Sequence, residues 1–301
     1  MSEAGAPVAV LVNVAAGSAD GAAGALTERL AAVGVPARVR EVRPDELKAA
    51  IGRDVAAGAA TIAVAGGDGT LSTAAGALAG TGVVLAVIPL GTLNHFARRL
   101  GLPDADAAVR ALAAGRSLRV AVGRAGDRTF INNASCGAYP RLVRHRERLR
   151  RWLGKWPAAI VAGLGVLLRL HAIRVTLHMP DAALRRKVAG VWVGLGPGSF
   201  ELPREARLKE HARVLEIVLP HAHTRTQLLS LGARVLWRLL RGRRPRTLGL
   251  EIVHVPAFEL TSRRAIDIAL DGEPLRMPPP VAFRIDPAAL EVIVAEDLEV
   301  A

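Results

Sequence analysis

Across 301 residues the chain carries one cysteine, Cys136, and one tyrosine, and its aromatic residues together make up 3%. A single cysteine excludes an internal disulfide framework and a cysteine-based zinc site, which leaves a reducing cytoplasm as the plain expectation. Scarce aromatics and the lack of a recognisable nucleic-acid-binding motif weigh against nucleic acid as a partner, although the formal net charge is +13. Long hydrophobic runs are missing as well. The longest, Ala158–Leu168, has 11 residues, too few to span a bilayer and suited to a buried helix or an interfacial segment. Met1–Pro7 is small and polar, so no charged-then-apolar leader is expected. Only four of the 40 basic residues are lysines, and from Ile217 to Leu250 no acidic residue occurs.

The basic residues are more informative by place than by number. Arg141–Lys155 holds six arginines and one lysine against one glutamate, with Trp152 and Trp156 a helical turn apart. Leu228, Leu231, Val235 and Leu239 recur at helical spacing while Arg234, Arg238 and Arg241 form their own stripe. A surface helix packing its leucines on its own domain is the plainer reading. A basic amphipathic helix lying on an anionic membrane is the other, and in either case the arginines can steer the molecule to such a surface.

The residues that carry chemistry are concentrated in four segments. Thr61–Ala65 reads as a strand, Gly66-Gly67-Asp68-Gly69-Thr70 as a turn, and the stretch after Thr70 as a helix. Adjacent glycines let backbone N–H groups approach an oxyanion, Thr70 is placed to cap the helix, and Asp68 is a carboxylate beside the bound phosphates. Twenty residues on, Leu85–Ile88 ends at Pro89, Gly91 and Thr92 form a second turn and cap, and Asn94 and Arg98 stand four apart on a helix. Two such units at one end of a parallel sheet converge on a crevice where open α/β sheets bind ligands. The third and fourth segments are Asn132–Gly137 and Asp271-Gly272-Glu273. Read bare, the latter is a hairpin turn after Ile266–Leu270.

Periodicity sets the architecture. Val8–Val12, Val35–Glu41, Thr61–Ala65 and Leu85–Ile88 read as strands between helical stretches Ala22–Val33, Pro44–Ala56 and Thr70–Ala79, the pattern of a parallel sheet. Ala105–Ala114 is a further helix ending at Gly115. Beyond Gly123 short strand candidates take over: Thr129–Ala134, Ile173–Met179, Val188–Leu195, Arg213–Leu219, Leu248–Val255, Ile266–Leu270 and Val281–Ile285, with Leu290–Val294 returning to the first half. Clean alternation in Ile173–Met179 marks an antiparallel strand with one buried face.

In those four segments, and in their order, the chain resembles the diacylglycerol kinase catalytic-domain family, which includes bacterial lipid kinases and the sphingosine and ceramide kinases. The resemblance spans nearly the whole chain. It implies an α/β fold with an N-terminal parallel-sheet nucleotide-binding domain (1–123, with 288–301 returning to it), similar to NAD kinases and phosphofructokinases. A β-sandwich-like lipid-binding domain (124–287) comes next, with the active site between the two. It implies ATP and magnesium as cofactors and a diacylglycerol-like lipid whose hydroxyl receives the γ-phosphoryl group. By resemblance, Gly66, Gly67, Gly69, Thr70, Gly91, Thr92 and Asn94 position the nucleotide. Asn13, with Gly17 and Ser18, belongs to the first phosphate loop, although Asn13 reads equally as a strand-end turn residue. Asp68 and Asp271 organise magnesium, and Glu273 is the general base, with Asp68 as the alternative. The expected setting is cytoplasmic, with peripheral contact at an anionic membrane.

Departures from the family pattern limit what carries over. Val14 stands where proline is usual, no lysine comes after Gly17-Ser18, and His95 replaces an aspartate; histidine is a poor ligand for magnesium. In Ala206–His211 the family's paired aspartates are replaced, and Glu216 stands near a usual aspartate, so no metal site is expected in the second domain. His221 and His223 read as surface residues, and Gly194–Gly198 as a turn. A kinase of a soluble acceptor such as NAD or a sugar phosphate, or a non-catalytic ATP or lipid sensor, are the competing functions.

Overall fold

In the computed structural model the described residues are 7–15, 21–137, 172–180, 182–200, 212–220 and 250–298, with 226, 227, 230, 237 and 241 singly. Gly17, Ser18, Arg141–Lys155, Ala158–Leu168, Ala206–His211, His221, His223 and the stripe Leu228, Leu231, Val235 and Leu239 lie outside them.

Strands β1 (Val8–Asn13), β2 (Ala37–Val42), β3 (Thr61–Gly66) and β4 (Val84–Pro89) pair in parallel in the order β2-β1-β3-β4. Val10, Leu11, Val12 and Ile62–Ala65 are fully buried, as strands covered by helices on both faces must be. Helices α1 (Ala22–Ala32), α2 (Leu47–Ala56), α3 (Asp68–Leu78), α4 (His95–Arg99) and α5 (Ala105–Ala114) complete this half. The buried stripe of α1 is Ala22, Leu26 and Leu30; that of α3 is Leu71, Ala74, Ala75 and Leu78. Each fully buried leucine contributes about 1.5–3 kcal/mol. α5 has both of its expected ends: Asp104 accepts from the Ala107 N–H at 2.8 Å, and Gly115 closes it at φ 72.

The rest of the described chain is β-structure. It comprises β5 (Ser117–Ala125), β6 (Arg128–Phe130), β7 (Asn133–Gly137), β8 (Ile173–His178), β9 (Ala183–Val188) and β10 (Gly190–Leu195). Then come β11 (Leu215–Pro220), β12 (Leu250–Val255), β13 (Ala257–Thr261), β14 (Ile266–Leu270), β15 (Glu273–Met277) and β16 (Val281–Ile293). The parallel sheet continues through β16, β13, β8 and β9 into a single ten-stranded sheet, with β5 on β16 and β6 on β5. A separate six-stranded antiparallel sheet runs β12-β11-β10-β7-β14-β15. The two sheets bury a shared core: Val175, Leu177, Phe258, Leu260 and Phe283 from one, Ala134, Cys136, Val191, Val193 and Ile268 from the other. Phe258 and Phe283 stack with ring centroids 4.8 Å apart across β13 and β16. The expected architecture, a parallel-sheet α/β half and then a β-sandwich-like half, is therefore the observed one.

Several elements differ from the sequence expectation. Thr129–Ala134 is divided between β6 and β7, and β5, β9, β13 and β15 have no counterpart among the expected strands. Val281–Ile285 and Leu290–Val294 belong to one long crossing, β16, whose register against β5 shifts between Asp286 and Leu290. Pro287 has no N–H to donate there, and Ala288 adopts φ 51. Past the shift, Val292 lies beside Leu85 of β4 in parallel.

Candidate active site

β3 ends at Gly66, Gly67 is extended at the N-cap, and α3 begins at Asp68. Thr70 is thus not the cap that its position suggests. It sits in the first turn, where its Oγ1 accepts from Asn13 Nδ2 at 2.7 Å. Asn13, buried at the end of β1, also accepts from the Ala15 N–H through Oδ1 at 2.9 Å. Its amide therefore ties the end of β1 to the start of α3.

The second loop closes on itself and on the first. The Gly91 N–H donates to Asn94 Oδ1 at 3.0 Å, and Asn94 Nδ2 donates to the Gly91 carbonyl at 2.8 Å. Asn94 holds φ 49 as the N-cap of α4, and the Phe96 N–H of that helix donates to Asp68 Oδ1 at 3.1 Å. Asn94 is consequently a buried cap, not a helix-face partner of Arg98, and Thr92 is exposed and does not cap. A Cβ on Gly91 would stand 2.7 Å from Gly67 Cα, so the loops meet backbone to backbone and only glycine fits. Gly66, Gly67, Gly91 and the first turn of α3 form a cradle of backbone at the C-terminal edge of the parallel strands. This is the kind of surface an oxyanion approaches. Asp68 adds a carboxylate whose Oδ2 is not engaged among the described residues.

The third component comes from the six-stranded sheet. β14 and β15 are joined by Asp271 and Gly272, with Leu270 opposite Glu273. Asp271 adopts φ 49, and its N–H donates to the Asn133 carbonyl at 2.8 Å. Its carboxylate collects four donors: Ser72 Oγ (2.7 Å) and the Ile131 N–H (2.8 Å) on Oδ2, the Asn132 (2.7 Å) and Asn133 (3.0 Å) N–H groups on Oδ1. Burial pushes this carboxyl above its ordinary value, against the downward pull of those four donors. A carboxylate offers about four acceptor positions, and all of them are used. The oxygens of Asp271, expected to organise magnesium, are thus each engaged by protein donors, and the residue latches the β14–β15 turn to α3 and to the β6–β7 connection.

That latch delivers Glu273 to α3. Glu273 Oε1 lies 2.1 Å from where a Cβ on Gly69 would be, so the carboxylate rests on the bare backbone of the first helical turn. Glu273 is exposed and Asp68 half-buried, which leaves both accessible to a ligand. Asn13, Gly66, Gly67, Asp68, Gly69, Thr70, Gly91, Asn94, Asp271 and Glu273 are all brought into this linked set of contacts. Thr92 is adjacent in the second loop, and His95 is exposed at the start of α4. Sequence reasoning misses Ser72, whose partner is 199 residues away. The Asn132-Asn133 run is visible in the sequence as a motif without a role, and its backbone supplies two of the four donors. Elsewhere, buried Glu216 accepts from the Gly198 N–H and lies 3.2 Å from His254 Nε2. Cys136 is fully buried, and burial pushes its thiol up to about 12.

The sequence pattern shared by diacylglycerol kinase catalytic domains matches residues 7–125. A Pseudomonas aeruginosa PAO1 protein named "Probable lipid kinase YegS-like" is 32% identical over 247 residues, covering 79% of this chain and 78% of its own. A protein of the same name from Pseudomonas syringae pv. tomato is 34% identical over 251 residues, covering 79% and 77%. The chain belongs to this family. Among solved structures, a diacylglycerol kinase from Bacillus anthracis str. Sterne superposes with a TM-score of 0.72 over 97% of this chain and 98% of its own, at 20% identity, which shows the shared fold.

Proposed function

We propose that the protein is an ATP-dependent lipid kinase that transfers the γ-phosphoryl group to a hydroxyl of a diacylglycerol-like lipid. The observation that carries the reading is the approach of Glu273 to Gly69, which puts a carboxylate from one sheet beside the phosphate-cradling turn of the other. The names of relatives about one-third identical over most of the chain supply the acceptor class. The two halves, proposed as 1–123 with 288–301 and as 124–287, bring the nucleotide and the lipid together at this contact.

Backbone N–H groups of Gly67, Gly69 and the start of α3 suit the phosphates of ATP, with Gly91 packed against Gly67 to leave room for them. Asn13 and Asn94 act one step back, holding Thr70 and Gly91 in place. Magnesium fits Asp68 rather than Asp271: it is commonly held by one or two carboxylates together with the nucleotide's phosphate oxygens, and it neutralises charge on them. Glu273 accepts the proton of the lipid hydroxyl as its oxygen bonds to the γ-phosphorus. The bond from that phosphorus to the β–γ bridging oxygen breaks, and ADP leaves. Alignment of these groups supplies most of the rate, because the chemistry needs little beyond position and charge.

The test is transfer of labelled γ-phosphate to micellar diacylglycerol, monoacylglycerol, ceramide, sphingosine and phosphatidylglycerol, with NAD and fructose 6-phosphate in parallel. Label in a lipid is expected. Label confined to NAD or the sugar phosphate, or nucleotide binding with no transfer to any acceptor, would overturn the proposal.

A further inference from the structure

The outer face of the ten-stranded sheet, where β8 and β9 form its edge, carries a cluster of basic residues, and the acidic residue beside it on β13, Glu259, lies opposite His178 and pairs with none of them among the described residues. Val175 and Leu177 of β8 point into the core, so Arg174, Thr176 and His178 point out. Across the ladder Lys187 lies directly opposite Arg174, and Arg185 directly opposite Thr176. Thr176 in turn pairs with Thr261 of β13, and Arg263 and Arg264 stand in the turn beyond it. Arg174, Arg185, Lys187, Arg263 and Arg264 are all exposed, and none of their side chains makes an ion pair or hydrogen bond among the described residues.

This arrangement works against the fold. Directly opposed side chains in an antiparallel pair are about 4.5–5.5 Å apart at Cβ, and like charges there are destabilising. Basic residues on an edge strand can protect it from pairing with other chains, which accounts for β9 alone. It does not account for Arg174, which lies on an internal strand between β9 and β13. Neighbouring basic residues of the molecule are treated differently: Arg186 is held by Glu251, and Arg124 and Arg284 by Asp286. Arg174, Arg185 and Lys187 lie on the sheet face with Arg263 and Arg264 in the turn at its margin, and β8 and β9 carry no Phe, Tyr or Trp on which a base could stack.

We propose that this face, centred on Arg174, Arg185 and Lys187, docks the protein on an anionic lipid bilayer. The inference rests on the reading of a membrane-borne acceptor, and it assigns the peripheral contact to one surface. Positive residues near an anionic leaflet each strengthen binding by about fivefold, and the effect is screened by salt.

The experiment is co-sedimentation of the full chain with vesicles of phosphatidylcholine alone or with 30% phosphatidylglycerol (about 0.1 and 0.5 M salt for Debye lengths of roughly 10 and 4 Å). The triple variant Arg174→Ser, Arg185→Ser, Lys187→Ser is compared with Arg38→Ser, Arg53→Ser, Arg110→Ser, which removes the same charge elsewhere. Expected are binding of wild type and control to the anionic vesicles only, its loss at high salt, and about a hundredfold weaker partition of the sheet-face variant. Lys187→Glu provides a second readout. It sets opposite charges across the ladder, so it is expected to raise the melting temperature while weakening vesicle binding. Equal partition of the two triple variants, no binding by wild type, or preference of wild type for duplex DNA over vesicles would each overturn the proposal. No ATP is present, so a negative result leaves the kinase reading to its own assay.

Discussion

Gly69 and Asp271 are the two residues on which the site's geometry turns. Gly69→Ala places a methyl group 2.1 Å from Glu273 Oε1, so the carboxylate must move. We expect turnover to fall about a hundredfold with little change in ATP affinity, a split visible in kcat against nucleotide Kd. Asp271→Asn replaces one acceptor oxygen by an amide that faces donors. A stability loss of about 2–4 kcal/mol is expected in urea unfolding, and about 1.5 kcal/mol for Ser72→Ala, which removes one charge-assisted bond. Cys136, buried with its thiol pushed up to about 12, should stay unmodified by maleimide in the native protein and react once it is unfolded. Of these features, the glycines and both carboxylates are legible in the sequence as residue types that cradle phosphate and move protons. The division of labour between Asp271 and Glu273 is not. It depends on Ser72 and on three backbone N–H groups at least 138 positions away, and contacts at such separation leave no local pattern.

At the scale of elements, the parallel half is legible nearly to its ends because β1, β3 and β4 are continuous apolar runs, while β2, at the sheet edge, alternates apolar and charged residues. The antiparallel half is legible in part. Ala183–Val188 carries three basic residues in six and looks solvated rather than paired. Glu273–Met277 contains Pro274, tolerated because β15 is an edge strand. β16 reads as two pieces because its register shift falls at Pro287 and Ala288. The β5–β16 pair joining the two halves also carries a pH dependence. Partial burial pushes Asp286 up, but Arg284 and Arg124 more than offset this and hold it below 3.8. The Ser117 hydroxyl, against slight burial and with help from Arg119, holds Glu291 below 4.5. A depressed folded-state value means stability that is fully present above the unfolded value and lost as pH falls through the folded one. The stability difference between wild type and Asp286→Asn/Glu291→Gln, measured by urea unfolding, is therefore expected to be constant from pH 7 to about 5 and to shrink towards pH 3.

Considered as a whole, the molecule has two cores, one among the helices and parallel strands and one between the sheets, joined by β5, β16 and the Asp271 latch. Family membership and fold are within reach of the sequence because four short segments occur in order. The meeting of Gly69 with Glu273 emerges only when both sheets are assembled. The central claim is that Glu273 acts as a proton acceptor at that meeting point. It is tested most directly by transfer of labelled γ-phosphate to diacylglycerol with Glu273→Gln, alongside its affinity for ATP. The account predicts ATP binding within about twofold of wild type and transfer reduced by about 10²–10⁴. Transfer at the wild-type rate by this variant would remove Glu273 from the chemistry and contradict the account.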